Sequence, residues 1–150
     1  MTKNLKRVAL AGAAACMLCL GASKTATADP WNMKTIITLD QSMKVPGATL
    51  KPDTYVFELA DPETSRDVVN IRRMSDNKLV ASALVRPIMR TTVDHGLALE
   101  VAMPGTTDVP MLKGWLYPGM GGGREFMYPK ADSRLIAHAE VVEIPVAPRG

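Results

Sequence analysis

The residues best suited to contact a partner are four aromatic rings late in the chain, Trp115, Tyr117, Phe126 and Tyr128, out of seven Trp, Tyr and Phe residues in 150. They lie within Lys113-Gly-Trp-Leu-Tyr-Pro-Gly-Met-Gly-Gly-Gly-Arg-Glu-Phe-Met-Tyr-Pro-Lys130. Side chains two apart on a strand share a face, which groups Trp115 with Tyr117 and Phe126 with Tyr128. Two short strands bridged by a glycine-rich loop would let all four rings meet, each good pair contributing about 0.5–1.5 kcal/mol beyond its buried area. Such rings serve either a core or an aromatic binding surface. Trp115, with Leu116 on the opposite face, is expected to be a core anchor. Tyr117 and Phe126, which flank the loop, are expected to stay open to a partner.

Other chemistries find less support. Gly119 and glycines 121–123 have the composition of a phosphate loop, but such a loop needs a helix N-terminus after it, or Gly-Lys-Ser/Thr in the Walker case. Here Arg124-Glu125-Phe126 reads on as strand. His95 and His138 show no His-x-His or His-x-x-x-His spacing, and Asp94 next to His95 would point to the other face of a strand, so no metal site is predicted. Ser75-Asp-Asn-Lys78 matches Ser-x-x-Lys without its companion motifs, and Ser42, Ser65, Ser82 and Ser133 lie in no Gly-x-Ser-x-Gly. Paired carboxylates such as Glu100 and Glu125 could face one another, as glycoside hydrolysis requires, but any sandwich with acidic outer faces allows that. Glu140 and Glu143 are expected in solvent. Thioethers select cuprous ion, yet Met33, Met43, Met74, Met89, Met103, Met111, Met120 and Met127 are dispersed, as expected of core filling. Neither a catalytic set nor a cofactor is predicted.

The first 28 residues have the layout of a secretory signal. Lys3, Lys6 and Arg7 precede an apolar run at 8–20, and Ala26-Thr27-Ala28 offers a cleavage site. The run is shorter than the roughly 20 residues a membrane-spanning helix needs. Cys16 and Cys19 both lie inside it, and neither has the preceding residues of a lipid-modified cysteine. Cleavage after Ala28 leaves a chain without cysteine, which excludes disulfides and thiolate metal sites. It also leaves 14 basic against 15 acidic residues, turning the whole-chain +3 into −1. The basic balance therefore argues for no nucleic acid. Export to the periplasm or the extracellular space is expected.

The remaining chain reads as short strands punctuated by turns. Residues 35–39 form the first, and Val45-Pro46-Gly47 turns. Leu50-Lys-Pro-Asp-Thr54 turns again, because proline presets φ and aspartate accepts local backbone bonds. At 54–60, Tyr55, Phe57 and Leu59 alternate with Val56 and Glu58. Strands at 67–74 and 78–86 flank a turn at Ser75-Asp76-Asn77. Pro87 interrupts, which suits a sheet edge or a change of direction. Residues 88–93 resume, His95-Gly96 turns, and Leu97, Leu99, Val101 and Met103 line one face of the next strand. After Pro129, Ala131-Asp132-Ser133 caps a helix of two turns to about Ala139 that packs through Leu135, Ile136 and Ala139. An extended 141–146 follows, and 147–150 form a loose tail. The pattern predicts one all-β domain at 29–146, a small antiparallel β-sandwich or partly open barrel of about eight strands with a short C-terminal helix.

Asp29-Pro-Trp-Asn32, Trp115-Leu-Tyr-Pro-Gly119 and Glu125-Phe-Met-Tyr-Pro-Lys130 resemble an uncharacterised group of short exported bacterial β proteins. The resemblance implies a short helix after the second Tyr-Pro and carries no activity with it. Met33 and glycines 121–123 depart from the group's pattern. The 50–57 turn and strand are also similar to prealbumin-like and carboxypeptidase-regulatory-like modules. The function that fits is an exported, non-enzymatic structural or binding module of the cell envelope, with another envelope protein or a polysaccharide as partner. A periplasmic or secreted enzyme and a methionine-based cuprous ion carrier are the alternatives.

Overall fold

The computed structural model describes residues 33–89, 96–105, 108–117 and 122–146. Residues 1–28, where a secretory signal is expected, His95, and residues 147–150, where a loose tail is expected, lie outside the described residues. The elements follow as β1 (Thr35–Leu39), β2 (Met43–Val45), β3 (Ala48–Leu50), β4 (Asp53–Asp61), β5 (Ser65–Arg73), β6 (Leu79–Met89), β7 (Ala98–Met103), β8 (Met111–Leu116), β9 (Gly122–Phe126), α1 (Lys130–Ala137) and β10 (Glu140–Pro145). The chain is all-β with one short helix, and the described residues hold ten strands where about eight are expected. No helix among them is long and apolar enough to cross a membrane.

The strands form one open path, β1-β4-β5-β6-β9-β8-β2-β3, with β7 joining β8 to β10. Among the described residues all pairings are antiparallel except a single parallel one, Lys44 with Met111. The path folds over at β6. Leu84 still pairs with Val68 of β5, whereas Val85 already pairs with Phe126 of β9. One long strand thus serves both halves, and the two halves face each other across the ring of Phe57.

Alternation puts the core between them. Ile37 and Leu39, Tyr55, Phe57 and Leu59, Val69 and Ile71, and Ala81, Ala83 and Val85 line the inner face of the first half. Pro87 does not end β6, because its position needs no N–H. The Met127 amide donates to Leu84 O, which makes Val85–Phe126 and Pro87–Arg124 pairs that exchange no ladder bonds. The β5–β6 turn lies where expected. Asn77 takes a positive φ of 56° there, and Asp76 accepts from the Lys78 amide and from Arg73.

Two departures shape the second half. Register along β8 jumps from Gly114–Glu100 to Leu112–Val101, leaving Lys113 as an unopposed bulge residue. The bulge re-phases the strand, so Leu112 and Trp115, three apart, both face the core. Glycines 122 and 123, expected within a flexible loop, belong to β9 instead. A Cβ on Gly123 would lie 2.6 Å from the Trp115 carbonyl oxygen and 3.0 Å from Leu116 Cα. The glycine is there for close approach of two backbones. Gly123→Ala is expected to push β9 off β8 and to cost about 1–3 kcal/mol, the usual range for overpacking. A urea melt with an unchanged midpoint would refute that.

Candidate functional site

The four aromatic residues of the hairpin are all on the core side. Trp115 is 0% exposed, Tyr117 4% and Phe126 4%, and Tyr128 packs against the same cluster half-buried. Trp115 and Tyr117 meet edge to face at 6.1 Å. Trp115 and Phe126, from the two hairpin strands, do not pair with each other as expected. Instead Phe57 of β4 stands between them, 6.1 Å from Trp115 and 6.5 Å from Phe126, edge to face with both. The expectation that Tyr117 and Phe126 stay open is therefore corrected: both rings are buried, Phe126 against Phe57 of the opposing half and Tyr117 against Trp115.

Tyr128 lies beyond β9 rather than within it. Its hydroxyl is shared between the carbonyls of Lys44 at 2.9 Å and Leu112 at 2.8 Å. Burial first, and then the charge of Asp132, push this phenol well above its ordinary range. It remains a neutral donor that joins the start of the C-terminal segment to β2 and β8. Lys44 adds an ion pair to Asp132 at 2.8 Å, and Ser133 donates to Tyr128 O at 3.0 Å.

These bonds hold only the first turn of α1. Asp132 and Ser133 sit inside the helix, and Pro129 is its N-cap, with no capping side chain. The packing face expected through Leu135, Ile136 and Ala139 does not form, because α1 buries no side chain and Leu135 is 51% exposed. Between the helix and the outer face of the sheet runs a groove of about 450 Å³. Its lining includes Phe126 and Tyr128 from the aromatic quartet, together with Arg86, Lys113, Ile136 and Val141. Trp115 and Tyr117 do not line it.

One transverse row crosses this outer face: Glu143 of β10 opposite Glu100 of β7, then Gly114 of β8, Glu125 of β9 and Arg86 of β6. The gap at Gly114 is occupied by the neighbouring carboxylate, since a Cβ there would lie 2.8 Å from Glu100 Oε2. Arg86 grips Glu125 Oε2 through Nε at 2.6 Å and Nη2 at 2.5 Å. Lys113 Nζ lies 3.9 Å from Glu100 Oε2. Glu100 and Glu125 do share a face, each beside a cation, Lys113 and Arg86 respectively.

The remaining candidates are scattered. His138 is exposed just after α1, and His95 lies outside the described residues; among the described residues no group of three or more His, Cys, Asp or Glu is placed to hold a metal. Met33 and Met43 belong to the core, whereas Met74, Met89 and Met127 are exposed in different places. Sequence reasoning misses the groove residues Arg86, Lys113 and Val141. A signal for Val141 exists in Glu-Val-Val-Glu, two acids bracketing an aliphatic pair, a pattern typical of a strand exposed on both faces. No family model matches the chain, no curated protein matches it, and no solved structure matches it.

Proposed function

We propose that this protein is an exported, non-enzymatic binding module of the cell envelope. Its contact surface is the groove between α1 and the sheet, with Phe126 and Tyr128 in the wall. The carrying observation is a helix held at its first turn that buries none of its own side chains. An isolated helix of eight residues has little stability in water, and none of the side chains of this one is fully buried. Its apolar side is left for something else. Around it Leu135, Val141, Val142 and Met127 are exposed, and β10 pairs with β7 alone among the described residues.

The occupant that fits is an extended segment of another envelope protein. Sugars stack on open aromatic faces, and the rings of this hairpin are turned inward. The groove offers aliphatic walls, the Arg86–Glu125 ion pair and the Lys113 cation, which suit apolar side chains flanked by polar backbone. Export rests on the charged, apolar and small-residue layout of the first 28 residues.

A photo-crosslinking residue at Val141 or Met127, in cells that export the protein, tests the reading. A discrete, protease-sensitive adduct is expected that Ile136→Asp abolishes while the circular dichroism spectrum is kept. An adduct that resists protease and yields to glycosidases would overturn the protein partner. Equal labelling from a control position at Met74 would overturn the groove.

A further inference from the structure

A second feature lies on the inner side of the sheet, independent of the groove. Arg124 of β9 is two residues from Phe126 and opposite Trp115 in register, so all three share the inward face. Its guanidinium is fixed by two carbonyls. Nε donates to Arg66 O at 3.3 Å and Nη1 to Gly123 O at 3.0 Å. Arg66 stands near the start of β5, in the opposing half of the sheet. The contact therefore brings two arginines together from two sides.

Neither guanidinium lies within ion-pair distance of a carboxylate among the described residues. Burial, and next the positive charge of Arg66, push Arg124 below the usual arginine range, while Asp67 opposes the shift from a distance. Two more donors are idle. Arg66 Nε and Trp115 Nε1 are buried without a hydrogen-bond partner, although roughly 90% or more of buried polar groups in folded proteins have one. Every unmatched group here is a donor or a cation. The complement is an acceptor that carries negative charge.

We propose that Arg66, Arg124 and Trp115 form a binding site for a carboxylate ligand. The planar guanidinium presents parallel N–H groups that match a carboxylate oxygen pair. Arg124 keeps its Nη2 group for this after Nε and Nη1 are used. A single negative charge balances the like-charged pair at a smaller desolvation cost than a phosphate dianion.

Benzoate titrated into the ¹⁵N-labelled protein at constant ionic strength provides the test. The chain has two tryptophans, hence two indole N–H resonances. One should move saturably and persist in Trp31→Phe, which assigns it to Trp115. Arg124→Gln and Arg66→Gln should each weaken the saturation about tenfold or more, as loss of a charged hydrogen bond does. If one variant does not fold, the other decides. Movement with sodium chloride alone, saturation by phosphate and not by benzoate, or unchanged affinity in a folded glutamine variant would each overturn the proposal.

Discussion

Trp115→Ala is expected to leave the protein barely folded. The side chain is the largest of those fully buried, and it touches Phe57 and Tyr117 edge to face. Truncating a buried tryptophan costs about 3–5 kcal/mol, a large share of the roughly 5–15 kcal/mol that stabilises a domain. With a urea dependence of about 1–3 kcal/mol per molar, the midpoint should fall by roughly 1–5 M. Trp115→Phe should cost less, because it keeps an apolar ring and removes an indole N–H that has no acceptor. A Trp115→Ala midpoint equal to wild type would mean that the ring anchors nothing, and that contact with a partner accounts for it better.

Phe57→Ala should be nearly as damaging, also about 3–5 kcal/mol, for a different reason. Phe57 is the ring on which both facing strands of the second half converge, with Trp115 on one side and Phe126 on the other. Its loss opens a gap between the halves as well as removing contacts within one. Phe126→Ala should then act through the same gap. The double variant Phe57→Ala, Phe126→Ala is expected to be less destabilised than the two single costs added together, with a coupling of about 0.5–3 kcal/mol. Chemical denaturation of the three variants beside wild type measures it. Strict additivity would show that the two rings do not share a cavity.

What the sequence makes legible is what short-range chemistry decides. The strand at Thr35–Leu39 and the alternation of Tyr55, Phe57 and Leu59 appear where the pattern puts them. The turn around Asn77 also does, because Asn tolerates positive φ and Asp76 caps its neighbours. The parts that stay hidden depend on distant partners. Residues 78–86 and 88–93 read as two segments around Pro87, but β6 runs through the proline, since β9 asks nothing of its nitrogen. Gly122 and Gly123 read as loop because their strand role comes from the Trp115 carbonyl pressed against them. The groove is hidden for the same reason: Arg86, Lys113 and Val141 become neighbours only through the sheet. Of the aromatic quartet, composition picks the right residues as organising ones, and only the fold decides that three of them are buried.

The lone parallel pairing has a consequence for the order in which the molecule can assemble. Lys44 of β2 is matched to Met111 of β8, 67 residues later in the chain, and its amide donates to the Pro110 carbonyl. A polypeptide that appears N-terminus first must therefore hold the β2–β3 hairpin without its seat until most of the chain has followed. Closing so long a loop is entropically slow, and contacts of this separation place a protein among the folders of the millisecond-to-second range. Until that closure the early strands present unpaired edges to whatever guides the chain.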